Sequence, residues 1–578
     1  WLTDNLVIYH LHSDNSLLDS CTGYKLYIDR AAELGQPAIA FSEHGKPLNW
    51  VKKKMYCDEK GIKYIHGVEI YLTESLNEKV RDNYHTVLIA RNEQGVKELN
   101  LAVSKSCDKD HFYYVNRLSF DEFLKLSNNI ITTSACLASP LNKLPVDHPM
   151  YESLVKRYDF LEIQAHDCQE QRDFNVHLAE LAKKYSKPLI AGTDTHSLDK
   201  YKAECRKILL KYKNKSYGDE DTYDLTYKSR EELDAAFARQ GVLPPELYRQ
   251  AMDNTLVMAD MVEPFELDTS IKYPILYGSA EEDSRIEAER VDRMFKEKLE
   301  TGVIPPEQED GFRSALVEER RVFEKLGMSG FMLCMSELIC WCKENDVPVG
   351  PGRGSAGGSR TAFVTDIIDC NPEQWHTVFS RFANEDRKEI GDIDVDVKKT
   401  DQPKVFNYIY KRFGARKTSR VPSFGTLQKS AVIKCVGNAL AKYWEEERTG
   451  KPFRPADKFS PDNPYSLSNV DKIASQFATD EGGTRTKFPK LFYYYDGLLD
   501  TKVSQSIHAA GIVISPLTLD DTYGVFDKDG DPCLFIDMDE LHEVGAAKFD
   551  FLPLSNVGII SDTCKLAGIH YPRMNEIN

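Results

Sequence analysis

Short, unbroken apolar runs alternate with helical patterns through roughly the first 200 residues, and this alternation constrains the chain more than any other feature. The runs are Leu6–Leu11, Pro37–Phe41, Ile62–Leu72, His85–Ala90, Asn129–Thr133, Phe160–Gln164 and Pro188–Ala191. Helical segments such as Tyr24–Leu34, Glu93–Lys105 and Gln171–Tyr185 lie between several of them. Strands that are apolar on both faces are buried on both faces, which predicts a parallel sheet wrapped by helices. About seven such staves predict a closed, slightly irregular barrel with its site at the C-terminal strand ends.

The 578 residues leave room for about three or four domains. With 41% hydrophobic and 29% charged residues the chain is globular, which excludes disordered, collagenous and fibrous classes. No apolar stretch reaches the length of a membrane span. The opening Trp1-Leu2-Thr3-Asp4-Asn5 lacks the order of a signal peptide, and a start without Met reads as a trimmed or partial product. Net charge is −17, which argues against a general nucleic-acid coat but leaves room for a local basic groove. The 13 Cys are scattered, with no CxxC pair; this argues against a zinc ribbon and fits a reducing cytoplasm.

Residues 200–270 read as a charged, helical transition, and Asp283–Lys343 as helical with mixed charge. The Gly/Pro-rich passage Val347–Ser355 breaks that pattern, and residues 445–490 read as a polar inserted or mobile element.

One constellation sits at the strand ends. His10 and His12 close the first strand, where alternation puts both imidazoles on one side. Asp19, Glu43-His44, Glu69, His85, Cys136 and Asp194-Thr195-His196 follow at or near later strands. An isolated HxH is usually structural. Paired with DxH at another strand end, it predicts convergence of imidazoles, carboxylates and a thiol that suit zinc, manganese or iron in clusters of two or three ions. Such clusters activate water and stabilise phosphoryl transfer.

A second constellation lies downstream. Gly350-Pro-Gly-Arg-Gly-Ser355 precedes a helix-like run, Ala356–Ile367, and a helix end after glycines offers amides to a phosphate. In Gly391-Asp-Ile-Asp-Val-Asp-Val397 the period of two puts Asp392, Asp394 and Asp396 on one strand face. A solvated edge strand tolerates three such carboxylates; two Mg²⁺ ions account for them better. In Lys548-Phe-Asp-Phe551, Lys548 and Asp550 share one face of a partner strand.

These motifs carry a resemblance. Leu11–Asp19, Ser42-Glu-His-Gly45, Gly67-Val-Glu69 and Asp194-Thr-His196 resemble the PHP domain that opens bacterial family C DNA polymerases. Val347–Ser359, Phe379–Arg387, Asp392–Val397, Phe424–Lys429, His508–Ser515 and Lys548–Leu552 are similar, in family order, to the palm and thumb of the same family, the DNA polymerase III alpha subunits. The resemblance implies an α/β multidomain chain: an irregular (β/α)7-type PHP barrel, then a polymerase-beta-like nucleotidyltransferase palm (α+β) with a helical thumb. The implied boundaries are PHP 1–268, palm 269–425, thumb 426–502, palm again 503–556, and the start of the fingers 557–578.

It also implies roles. His10, His12, Asp19, His44, Glu69, His85, Cys136, Asp194 and His196 match the PHP metal positions for Zn²⁺, Mn²⁺ or Fe ions and a 3′→5′ proofreading exonuclease. Asp394, Asp396 and Asp550 match the ligands of two Mg²⁺ ions, with Asp392 supporting. Gly354 and Ser355 match the triphosphate cradle, with Arg353, Arg381, Arg387 and Lys548 as its counter-charges. Departures from the family are Glu43 for Asp, Gly391 for Pro, Pro553 for Gly, and Lys502 as the only basic residue shortly before the His508-Ala-Ala-Gly511 motif.

Between Lys398 and Lys442, Asp401 is the only acid. Either this is a solvated helical face, or Lys411, Arg412, Arg416, Lys417, Arg420, Lys429 and Lys434 grip DNA phosphates with strong salt dependence. The implied partners are primer–template DNA, dNTPs, a second chain supplying fingers and C-terminal domains, and a sliding clamp through that chain, with no membrane. The implied setting is the cytoplasm of a bacterial or virus-infected bacterial cell. Two rivals stand beside this reading: a PHP phosphoesterase or nuclease with a non-catalytic palm, and a DNA-binding scaffold half of a split polymerase.

Overall fold

The computed structural model describes residues 4–218, 222–385 and 393–576. The chain divides into two compact units. One holds Trp1–Glu266 and Phe424–Ser506; the other holds Leu267–Ser423 and Ile507–Asn578.

The first unit contains the barrel. Its regular strands are β1 (Ala38–Phe41), β2 (Lys63–Thr73), β3 (Tyr84–Ala90), β4 (Arg117–Ser119), β5 (Ile130–Thr133), β6 (Leu161–Gln164) and β7 (Leu189–Gly192). The order β1-β2-β3-β5 forms one sheet, with β4 on β2, and β6 pairs β7 in parallel. Single bridges join the pieces into a ring. Ile8 pairs with Ile39, Thr133 with Phe160, and Leu11 with Thr195, all in parallel. The first stave is therefore an extended segment held by these bridges rather than a regular strand. β3 runs antiparallel to both neighbours, unlike the wholly parallel sheet expected. The cause is its connection: residues 74–83 join β2 to β3 with no helix between, so the chain turns back on itself. Continuous burial along β1, β5, β6 and β7 matches their apolar sequence.

The same unit carries helices Lys429–Thr449, Leu467–Thr479, Glu481–Lys487 and Pro489–Leu498. The segment 445–490, read from its composition as a polar inserted or mobile element, contains two complete helices. Apolar Val470, Ile473 and Phe477 recur at helical spacing within the polar surroundings and are buried. They join Val432, Val436 and Leu440 in a core shared with Cys205, Ile208 and Leu209 of helix Lys200–Lys213. Lys442 is buried at this seam and donates to the carbonyls of Lys211 and Tyr212 at 2.9 and 3.0 Å.

The second unit is α+β. Helices Ala280–Glu300, Glu309–Leu326 and Ser329–Glu344 precede a mixed sheet. Its sheet is built from β8 (Asp394–Val397), β9 (Thr418–Thr426) as far as Ser423, β10 (Lys502–Ile514) from Ile507 onward, β11 (Val525–Lys528), β12 (Asp531–Leu534) and β13 (Lys548–Pro553). The order is β11-β12-β9-β10-β13-β8, with β8 at the edge. Val395, Val397, Phe549, Phe551 and Ile512 face the core, while the residues between them on β8 and β13 are half-exposed. Period-two alternation thus turns the carboxylates to one open face of the sheet.

Candidate active sites

The first cluster is built at one end of the barrel. His10 and His12 flank Leu11, whose bridge to Thr195 brings the first stave beside Asp194 and His196. His10 Nε2 and His12 Nε2 lie 3.2 and 3.3 Å from Asp194 Oδ1. Glu69, on β2, is the hub: its carboxylate lies 2.8 Å from His44 Nδ1, 2.5 Å from His85 Nδ1 and 3.6 Å from His12 Nε2. Cys136 Sγ sits 3.5 Å from His85 Nδ1. Asp19 Oδ2 lies 2.8 Å from His44 Nε2 and 3.2 Å from His196 Nε2. All nine residues singled out in the sequence therefore converge.

Three overlapping donor sets arise, each with its ligand atoms within 4.8 Å: His12–His44–His196, His10–His12–Glu69 and Glu69–His85–Cys136. The Nε2 atoms of His10, His12 and His196 are buried without a hydrogen-bond partner. Unpaired buried nitrogens are costly unless something else satisfies them. A set of imidazoles, carboxylates and one thiol fits divalent zinc, manganese or iron. Burial, then the nearby His44 and His196, pushes the His12 imidazole down to about 3, which keeps it neutral. Burial opposes the charged form of His10 too, but the Glu162 and Asp194 carboxylates outweigh it and hold that imidazole well above its usual range. Asp194 has φ +47°, a left-handed backbone uncommon for a non-glycine residue and frequent at functional sites.

Two residues around this cluster escaped the sequence reading. Arg206 donates to the Asp19 backbone carbonyl at 2.5 Å and pairs with its carboxylate, holding Asp19 in place. Glu162 lies fully buried on β6 and accepts from His10 Nδ1 at 2.6 Å. A charged residue inside the apolar run Phe160–Gln164 was the available signal.

The second cluster lies on the sheet of the other unit. The parallel register of β13 on β8 places Asp550 opposite Asp394 and Leu552 opposite Asp396. β10 runs antiparallel on the other side, with Gly511 opposite Asp550 and Val513 opposite Lys548. Lys548 Nζ lies 2.6 Å from Asp550 Oδ2, while Asp550 Oδ1 is buried without a hydrogen-bond partner. Arg353 spans Asp394 and Asp396 at 3.7 and 3.3 Å. Burial, then the Asp550 charge, raises the Asp394 carboxyl above its ordinary range. An orphan carboxylate oxygen beside two further carboxylates fits a hard divalent cation such as Mg²⁺.

The glycine-rich turn meets this face. Gly350 N donates to Asp396 O at 2.8 Å, and a Cβ on Gly350 would lie 2.9 Å from the Asp396 Cβ. Gly354 and Ser355 begin a short 3-10 turn, Gly354–Gly358, followed by a single helical turn, Arg360–Val364, instead of the longer helix expected. The amides at that helix start are not open to a phosphate. Buried Glu319 accepts from Arg360 N and Thr361 N at 2.8 and 2.9 Å, and Ser359 Oγ accepts from Ala362 N. Arg381 is exposed at the end of the turn Phe379–Arg381. Arg387 and Asp392 lie outside the described residues.

The basic segment separates into two kinds of residue. Arg420 is buried, lies over the Phe406 ring and donates to the carbonyls of Gly511, His508 and Ala509, so it ties strands together. Arg412 pairs with Glu337, Arg416 with Asp520, and Lys434 with Asp471. Lys411, Lys417 and Lys429 are exposed, with no ion pair among the described residues.

A barrel of this kind with a complete histidine–carboxylate cluster, joined to a sheet carrying opposed aspartates, defines a chain with two candidate phosphoryl-transfer centres. The PHP domain family matches residues 9–170, and the bacterial DNA polymerase III alpha NTPase domain matches residues 289–553. DNA polymerase III subunit alpha of Aquifex aeolicus is 28% identical over 96% of this chain and 52% of its own length. The subunits of Borreliella burgdorferi and Treponema pallidum are 27% and 29% identical, over 49% and 48% of their lengths. The chain thus carries PHP and DNA polymerase III alpha NTPase domains and is similar to DNA polymerase III alpha subunits, and it spans about half the length of the curated relatives it matches.

Proposed function

We propose that this chain is the PHP, palm and thumb portion of a template-directed replicative DNA polymerase. On this reading residues 1–268 form the PHP domain, 426–502 the thumb, and 269–425 with 503–556 the palm. The observation that carries the reading is the register of β13 on β8, which sets Asp550 opposite Asp394 with Asp396 on the same open face.

Two Mg²⁺ ions, when bound, would supply the electrostatic stabilisation and activate the primer 3′-hydroxyl for attack on the α-phosphate, forming the phosphodiester as the α–β bond breaks and pyrophosphate leaves. Asp394, Asp396 and Asp550 would hold them. Lys548 and Arg353, now paired with these carboxylates, would turn to the phosphates as the cations take their place. Gly350 keeps the phosphate-side turn hard against Asp396, so cradle and carboxylates share one rigid frame. In the PHP domain the nine-residue cluster supports a metal-dependent 3′→5′ exonuclease. There Zn²⁺, Mn²⁺ or Fe ions would activate water, and the neutral His12 would stay available as a ligand. Primer–template DNA and dNTPs are the proposed substrates, with Lys411, Lys417 and Lys429 as phosphate contacts. A second chain would supply fingers and clamp contacts.

A second reading keeps only the nuclease. It is favoured by the Lys548 and Arg353 side chains, which already lie on the palm carboxylates. One experiment separates the two. A 5′-labelled primer–template is incubated with the chain, Mg²⁺, Mn²⁺ and all four dNTPs. Lengthening lost in Asp394→Ala supports the polymerase. Shortening alone, lost in His12→Ala and untouched in Asp394→Ala, leaves the nuclease. No change in primer length refutes both for this chain alone.

A further inference from the structure

We propose that Glu162 and the Ser16–Glu43 pair are positioning residues that aim the Nε2 atoms of His10 and His12 into the PHP metal centre. The proposal rests on the reading that this cluster holds metal. A ligating imidazole must present one bare nitrogen, and the hydrogen bond at the other nitrogen decides which one it is.

Glu162 meets this need for His10. Its Oε1 accepts from His10 Nδ1 at 2.6 Å and from Gln164 Nε2 at 2.7 Å. Its Oε2 accepts from Tyr9 Oη at 2.8 Å and from Thr133 Oγ1 at 2.9 Å. Four donors fill the carboxylate's acceptor sites, so Glu162 is committed to its neighbours, not to a cation. The barrel reserves space for it. A Cβ on Gly192, on the adjacent strand β7, would lie 2.0 Å from Glu162 Oε1. With Nδ1 fixed as donor, Nε2 is the nitrogen that faces Asp194 and Glu69.

Ser16 does the same for His12 by a different route. Its hydroxyl donates to Glu43 Oε2 at 2.7 Å. A hydroxyl has one proton, so its 3.0 Å contact with His12 Nδ1 is one in which the imidazole N–H donates. His12 is therefore the Nδ1–H tautomer, with Nε2 bare. Ser16 Oγ also accepts from His44 N at 3.1 Å, so one hydroxyl locates two members of the cluster. Glu43 is buried and anchored by Lys53 Nζ at 2.6 Å. The residue that departs from the family pattern beside His44 thus supports the cluster without joining it.

The test uses the full chain, stripped with a chelator and titrated with Mn²⁺ or Zn²⁺ by calorimetry, with bound metal counted by elemental analysis. Ser16→Ala and Glu162→Gln should each weaken metal binding on the order of 10–100-fold. Melting in chelator reports folding separately, and ¹⁵N spectra of the histidine rings report the tautomer. His12 should be purely Nδ1–H in the parent chain and mixed in Ser16→Ala. Affinity within twofold of the parent in both variants, or an unmoved His12 tautomer in Ser16→Ala, overturns the proposal. If Glu162→Gln does not fold, Ser16→Ala decides by itself. A parent chain that takes up no metal, or takes it up equally in His12→Ala, refutes the metal centre instead, and the positioning role falls with it.

Discussion

Asp394 shows how one side chain records the demands of a two-carboxylate face. Burial and the opposed Asp550 both disfavour its charge. A raised carboxyl holds its proton to higher pH, so proton and cation compete for it nearer neutrality than for an ordinary aspartate. Mg²⁺ or Mn²⁺ affinity at the palm should therefore fall on acidification before the usual aspartate range is reached. Asp550→Asn should move that onset to lower pH. Mn²⁺ binding followed by electron paramagnetic resonance across pH would check this, and identical onsets in the two proteins would refute it. The sign for stability follows from the same shift. The folded state disfavours ionised Asp394, so Asp394→Asn should raise the melting temperature at neutral pH even as it removes polymerisation.

At the scale of elements, what was legible depended on whether the cause was local. The alternation Asp-Val-Asp-Val announced β8, and the carboxylates do share its open face. The apolar staves announced a barrel, and their histidines do converge. The direction of β3 was not legible, because a direct connection and not its own residues sets it. Nor was the fate of the helix start after the glycine turn. Its amides are taken by Glu319, a residue of helix Glu309–Leu326 that no local pattern links to it. The basic segment misled in the same way: counting charges could not show that Arg420 is spent on three backbone carbonyls. Gly350 gives the element-scale prediction. A methyl there would meet Asp396 Cβ at 2.9 Å, against a neighbour fixed by strand pairing. Gly350→Ala should therefore reduce primer extension at least tenfold, by roughly 1.4 kcal/mol or more in barrier. It should leave primer shortening intact. Equal loss of both activities would point to general unfolding instead.

For the first unit, the decisive feature is that helices Lys429–Thr449, Leu467–Thr479 and Pro489–Leu498 share one core with helix Lys200–Lys213, which follows the last barrel strand. Val432, Val436 and Leu440 pack with Cys205, Ile208 and Leu209, and Lys442 is buried between them on backbone carbonyls. A ligand that binds only the folded state stabilises whatever unfolds with its site. Metal binding to the PHP cluster should therefore slow amide exchange in helix Lys429–Thr449, although that helix holds no ligand. The palm strand β8 serves as the internal reference. Exchange in the helix that ignores metal would show that the two parts open independently. This shared core also shapes how such a chain can change over generations. A lineage that no longer needed the metal cluster could lose the donor His12 or Asp194 by a single substitution. It could not discard helix Lys200–Lys213, because helix Lys429–Thr449 would lose the surface against which it packs. Loss of the metal cluster would thus leave the fold in place, kept for its architecture.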